Sequence, residues 1–190
     1  MLIAFEGPDN VGKSTSAHNL SGGSPIYNAT KYNHTVAGQD IEDGVPRCFD
    51  RIDWFSHMVY RLALPKGDWN DDRSRTVFAM PDTHLVIKLH RPDLAEFTAD
   101  EVVVTPIGLV NPMYYYFANF FTGLNEEQNF ELFKSVSIIE VSNDVYAGTF
   151  SQELVSFSSP VTSWGEAEAF NVIDDASLLK LLRAEEHQTI

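Results

Sequence analysis

One segment, Gly7-Pro8-Asp9-Asn10-Val11-Gly12-Lys13-Ser14, limits what this chain can fold into more than any other. It fits G-x-x-x-x-G-K-[ST] at every fixed position, and at ordinary glycine usage such a match arises by chance in about 1% of chains this long. Its flanks carry equal weight. Leu2 to Phe5 is an apolar run that reads as a short buried strand, and Ser14 to Leu20 reads as a helix closed by Ser21-Gly22-Gly23. A strand, a glycine loop and a helix in that order let successive N–H groups point inward at phosphate oxygens, with the positive end of the helix dipole behind them. The candidate phosphate-binding residues are therefore Gly7, Asp9, Asn10, Val11, Gly12, Lys13, Ser14 and Thr15, with much of the binding assigned to backbone N–H groups of residues 10 to 14. Lys13 is expected to bridge the terminal phosphates and the Ser14 hydroxyl to hold Mg²⁺.

Downstream, short apolar runs alternate with glycine, proline and polar breaks, a pattern of strands interleaved with helices. Pro25 to Asn28 and Val45 to Phe49 read as strands, and Trp54, Phe55, Met58, Val59 and Leu62 recur at helical spacing. His84 to Leu89 is a fourth strand and Val136 to Val141 a fifth. Asn111-Pro112 predicts the start of a long aromatic-rich helix running to about Lys134, and Ala176 to Glu186 a packing helix. The fold expected is a single three-layer α/β domain over residues 1–190, with a five-stranded parallel sheet and an acidic elaboration over residues 143–190. The Tyr114 to Phe121 aromatics, Trp54 and Phe55 are read as core, and Cys48 as a small buried residue rather than a nucleophile.

Charge divides the chain. The total is 13 Lys+Arg against 27 Asp+Glu, a formal net charge of −14. From Pro92 onward only Lys134, Lys180 and Arg183 face 16 carboxylates. Such a surface repels phosphate backbones, which makes nucleic acid an unexpected partner and confines anion chemistry to the first half. No apolar run approaches the roughly 20 residues of a membrane span. Met1 to Glu6 lacks the basic flank of a secretory signal, and Cys48 is alone, so a cytoplasmic location is expected, the host's if the chain is viral.

Asp50-Arg51 ends the third strand and opens the following helix, where open parallel sheets bind ligands. A carboxylate there can orient a metal's water shell, and an arginine can clamp a phosphate with two hydrogen bonds. A helix-capping aspartate followed by a surface arginine would look the same.

Phe5-Glu6-Gly7-Pro8-Asp9-Asn10-Val11-Gly12-Lys13-Ser14-Thr15, then Phe49-Asp50-Arg51 with Ser56 and Tyr60 on the next helix, then Pro81-Asp82 before an apolar strand, resembles thymidylate kinase. The spacing is closest to compact bacteriophage-encoded members of that family, and the match spans residues 1–93. The resemblance implies a P-loop nucleoside monophosphate kinase that uses ATP and Mg²⁺ to phosphorylate a deoxynucleoside monophosphate such as dTMP. It places Asp9 near the acceptor's sugar or phosphate, and Asp50 and Arg51 at the metal and the phosphates, with Ser14 and Asp50 as the metal's protein contacts. The expected partners are small nucleotides, and a homodimer stays open.

Three departures stand against the pattern. Only 36 residues separate Ser14 from Arg51, fewer than cellular members use for their acceptor segment. Asn10 stands where some members carry an arginine, and residues 92–133 contain no Lys or Arg, so the usual basic lid is missing. Arg91 is the first replacement, with Arg73 and Arg75 next. Tyr27 and Tyr32 fall in the shortened acceptor segment, and Tyr60 is a candidate to stack on a base. Two rival readings follow, a kinase for a modified base in DNA and a non-enzymatic nucleotide-binding protein with an acidic interaction surface.

Overall fold

In a computed structural model, residues 1–29, 45–65, 76–91, 107–127, 132–144, 148–159 and 172–186 are described. The elements run β1 (Leu2–Glu6), α1 (Lys13–Leu20), β2 (Tyr27–Asn28), β3 (Arg47–Asp50), α2 (Asp53–Ala63), β4 (Met80–His90), α3 (Ile107–Glu127), β5 (Phe133–Asp144), β6 (Thr149–Ser158) and α4 (Asp175–Glu186). They build one six-stranded sheet in the order β2-β3-β1-β4-β5-β6. The first five strands in that order are parallel, and β6 lies antiparallel on β5. The five-stranded parallel sheet expected from the sequence is corrected to a mixed sheet of six.

The extra strand was hidden by a bulge. Ile138 pairs with Ser156 and the next residue, Ile139, pairs with Leu154, so Val155 is left over. Gln152 and Leu154 face inward before that step, and Phe157 and Ser158 after it, while Val155 is exposed. An inserted residue reverses which positions point inward, and the period-two signal of a half-buried strand is lost.

Each face of the sheet carries helices. Leu2, Ala4, Phe49, Leu85, Ile87, Leu89 and Ile138 pack against Trp54, Phe55 and Val59 of α2 and Val110, Tyr114, Phe117 and Phe121 of α3. Ile3, Phe5, Cys48, Val86, Ile139 and Val141 pack on the other face against Ala17 and Leu20 of α1 and Leu178 and Leu182 of α4. Strand alternation sends odd and even residues of β1 to opposite layers, and both are apolar because both faces are covered.

The aromatic run on α3 splits by helical periodicity. Tyr114, Phe117 and Phe121 are buried, whereas Tyr116 and Phe120 stack on each other at the surface, 63% and 48% exposed. The core reading therefore holds for only part of that run. The helix begins four residues before the expected Asn111 and ends seven before Lys134, which belongs to β5. Asn111 does not cap it. Its amide instead bonds both backbone groups of His90, accepting from N–H at 2.9 Å and donating to the carbonyl at 3.0 Å, and Pro112 lies inside the helix. No helix among the described residues is long and apolar enough to cross a membrane.

Candidate functional site

β1 is flanked by β3 and β4, and the chain crosses from one side of β1 to the other between those two strands. The carboxyl ends of these three strands therefore meet at the switch point, the usual ligand crevice of an open parallel sheet. Glu6 runs there into the glycine loop, Asp50 into Arg51, and His90 into Arg91.

The loop turns on positive-φ backbone at three positions. Gly7, Asn10 and Gly12 have φ of 140°, 64° and 75°. A Cβ on Gly7 would stand 1.9 Å from the carbonyl oxygen of Lys88 on β4, so only glycine fits where loop and strand touch. Gly12 is the N-cap of α1, with no side-chain cap and no acid in the first turn, which leaves the helix N-terminus open to an anion. Val11 belongs to the loop but its side chain is fully buried in the core under α1.

Lys13 is buried, and its Nζ donates to the carbonyl of Pro8 at 2.5 Å. Burial, and then the Arg51 guanidinium, pull its pKa down to about 7. Ser14 and Thr15 are exposed on the first turn of α1. The Ser14 hydroxyl donates to Asp50 Oδ2 at 2.5 Å, bringing together two residues that lie 36 positions apart. A hydroxyl and a carboxylate side by side are hard oxygen donors of the kind that could hold a divalent cation such as Mg²⁺, directly or through its waters.

Arg51 is held in a left-handed conformation at φ 74°, its N–H donating to the carbonyl of Phe5 at 3.0 Å. Its guanidinium donates from Nη2 to Asp9 Oδ1 at 2.7 Å and to the Tyr60 hydroxyl at 3.1 Å. From Nη1 it donates to the Tyr114 hydroxyl at 3.0 Å, with the Ser56 hydroxyl at 3.4 Å. Asp9, Asp50 and Arg51 thus converge with the loop. Tyr60 supports Arg51, its ring 5.3 Å from the guanidinium carbon, and Trp54 and Phe55 are buried in the core. Tyr27, half-buried on edge strand β2, packs on Phe49 with ring centroids 5.2 Å apart.

Beneath this group lies a carboxylate that the sequence did not single out. Glu6 is fully buried and accepts from the Ile52 N–H at 2.5 Å, the Ser56 hydroxyl at 2.9 Å and the Tyr114 hydroxyl at 2.9 Å. Burial pushes its pKa up, and the nearby Arg51 charge works against that shift. The only signal in the sequence was an acid ending an apolar strand. Lys88 and His90 were missed in the same way. His90 Nε2 sits 2.8 Å from the carbonyl of Asp9, and burial lowers its pKa. Lys88, 1% exposed, donates to the carbonyl of Gly12 at 3.2 Å and to the Ser16 hydroxyl at 2.8 Å, and burial brings its pKa to about 8.

Arg91 follows β4 at the same sheet edge, half-buried, its backbone N–H donating to Val141 at 3.2 Å. Arg73, Arg75 and Tyr32 lie outside the described residues. Cys48 is buried, and burial pushes its thiol up to about 12, far from a nucleophile's range. Among the described residues no group of three or more His, Cys, Asp and Glu side chains is placed to hold a metal.

No family model matches the chain, and no curated protein matches it. Among solved structures it is similar to the YorR protein of Bacillus subtilis, crystallised in complex with phosphorylated GDP. The two share 21% identity over 63% of this chain and 80% of that one, with a TM-score of 0.45.

Proposed function

We propose that this chain is a P-loop nucleoside monophosphate kinase of the thymidylate kinase type, passing the γ-phosphoryl group of ATP to a deoxynucleoside monophosphate, dTMP or a related pyrimidine nucleotide. The observation that carries this reading is the meeting of Ser14 with Asp50 at 2.5 Å beside Arg51. Two distant segments combine there into a hydroxyl, a carboxylate and a guanidinium at the open N-terminus of a helix.

The acceptor's phosphate oxygen attacks the γ-phosphorus, the bond to the bridging oxygen breaks, and ADP leaves with the electron pair. Little covalent work falls to the protein, so its contribution is positioning and charge neutralisation. Backbone N–H groups of residues 10 to 14 hold the phosphates, and Lys13 swings from the Pro8 carbonyl to the β- and γ-phosphate oxygens. Bound Mg²⁺ would neutralise part of the phosphate charge, with Ser14 as its direct ligand and Asp50 orienting its waters. Arg51, released from Asp9, grips the acceptor phosphate, and Asp9 turns to the acceptor's sugar. Arg91 is assigned the charge that a lid arginine supplies elsewhere, a contribution worth about 10³-fold or more in rate.

The test is ADP formation from ATP and Mg²⁺ with each deoxynucleoside monophosphate in turn, dTMP first, with Lys13→Ala as the blank. Turnover above the blank with one acceptor supports the reading and names the substrate, and Asp50→Asn should then cut the rate while leaving ATP binding largely intact. Equal activity in Lys13→Ala would overturn the site. ATP binding without transfer to any acceptor would favour the binding-protein reading, which the absence of Lys and Arg from residues 92–133 supports.

A further inference from the structure

Lys88 is a lone cation in an apolar strand, and nothing in the reaction above uses it. β4 pairs with β1 so that Ile87 lies opposite Glu6, which brings Lys88 level with Gly7 at the root of the phosphate loop. Its neighbours Ile87 and Leu89 turn to the layer of α2 and α3, and the Lys88 side chain emerges on the side of α1 and α4. There the ammonium is shut in by the loop, by α1 and by the ring of Phe150 from β6, whose centroid is 5.7 Å away.

The two acceptors that Lys88 finds determine what it can do. One is the Gly12 carbonyl, which also accepts the Ser16 N–H at 3.0 Å in the first turn of α1. A peptide unit is planar and trans, so a carbonyl held toward Lys88 and Ser16 forces the Lys13 N–H in the opposite direction. That N–H is one of the unpaired donors of the helix N-terminus, the groups that meet an anion. Gly12 has φ 75° and caps the helix without a side chain, so the orientation of the peptide that follows it rests on the hydrogen bonds its carbonyl accepts, from Ser16 and from Lys88. The other acceptor is the Ser16 hydroxyl, which donates in turn to Asp175 Oδ1 at 2.8 Å, while Asn19 donates to Asp175 Oδ2 at 2.8 Å. A hydrogen-bonded relay therefore runs from the phosphate loop through Lys88 and Ser16 to the first turn of the C-terminal helix.

We infer that Lys88 is a positioning residue of the phosphate loop, fixing the Gly12–Lys13 peptide for anion binding, and that its relay through Ser16 to Asp175 makes α4 part of that loop's support. The inference rests on the phosphate-binding reading of the loop. For packing alone an apolar side chain would serve at lower cost, because a buried ammonium must be repaid by hydrogen bonds and nearby charge.

The experiment compares wild type with Lys88→Met, which keeps the length and removes the charge, and with Ser16→Ala and Asp175→Asn. ATP affinity is measured by calorimetry, Lys13 amide exchange by NMR on the protein without nucleotide, and melting temperature alongside. Lys88→Met should weaken ATP binding about tenfold, the size expected for one charged hydrogen bond, and speed Lys13 amide exchange. Asp175→Asn should shift both readings in the same direction, and the double variant should lose less than the sum of the singles. Should Lys88→Met fail to fold, Ser16→Ala makes the same test without a charge change. ATP affinity and Lys13 exchange unchanged in the variants would overturn the inference, and strict additivity would overturn the relay. If wild type binds ATP no better than Lys13→Ala, the phosphate reading fails on its own, and the exchange rate alone still decides whether Lys88 orders the peptide.

Discussion

Gly7 shows most sharply how one residue is dictated by its surroundings. An alanine there would place its Cβ 1.9 Å from the Lys88 carbonyl oxygen, a backbone atom that cannot swing aside. Gly7→Ala is expected to cost about 3 kcal/mol or more, from overpacking combined with a strained φ. Gly23 also has positive φ, at 88°, yet nothing lies within 4 Å of its Cβ position, so Gly23→Ala should cost only about 1 kcal/mol of backbone strain. Denaturant unfolding of the two variants checks this, and equal losses would refute the steric argument. Tyr114 offers a second residue-scale test. Its hydroxyl donates to the buried Glu6 carboxylate and accepts from Arg51, so Tyr114→Phe leaves two charged groups each short of a partner. A stability loss of about 1–3 kcal/mol is expected by the same measurement, and no loss would mean the network repairs itself. The glycines of the loop were legible because a motif demands them. Glu6 and Tyr114 were not, because they lie 108 positions apart and meet only once α3 is laid across the sheet.

At the scale of elements, α4 is tied down at both ends. Asp174 caps its start, its carboxylate accepting the Ser177 N–H at 2.7 Å. At its end Glu186 lies 3.5 Å from the Lys134 ammonium on β5 and 3.8 Å from His84 Nε2 on β4. The His84 ring and then the Lys134 ammonium hold the Glu186 carboxyl down at about 2, offsetting its partial burial. That lowered carboxyl contributes stability present above its ordinary value of about 4.5 and lost as the pH falls through about 2. Burial lowers the His84 imidazole, so below about 6.5 the unfolded chain takes up that proton first and stability falls with pH. His90 is lowered likewise and adds to the same window. Chemical denaturation across pH should therefore show His84→Gln flattening the slope below about 6.5, and Glu186→Gln flattening the limb below about 4.5. Unaltered slopes in both variants would dissociate these groups from acid unfolding. The helices α2 and α4 were readable from their apolar periodicity, and α1 from its place between the glycine motif and the Ser21-Gly22-Gly23 stop. β6 was not, because its bulge at Val155 reverses the inward face halfway along. The start of α3 was misplaced because Asn-Pro is the signature of a helix N-terminus, and here the asparagine serves the end of β4 instead.

For the whole molecule, charge is the governing quantity. A formal net charge of −14, concentrated after Pro92, makes the folded chain repel itself. Raising monovalent salt from about 20 mM to about 200 mM shortens the Debye length severalfold, so the melting temperature should rise; a flat or falling profile would show that the carboxylates are locally paired. The same charge predicts that the protein passes through a DNA column at low salt, whereas retention would revive the reading of a kinase acting on DNA. The sequence by itself determined the glycine loop, the strand and helix around it, the Asp50-Arg51 pair and the layered α/β class. In each of these the decisive residues are neighbours in the chain or repeat with the period of one element. Only the tertiary structure decided that Ser14 meets Asp50, that Glu6, Tyr114 and Arg51 share one buried network, that Lys88 reaches the Gly12 carbonyl from β4, and that a sixth strand turns antiparallel. Those contacts join elements far apart in sequence, and they depend on strand order and register, which no local pattern of residues encodes.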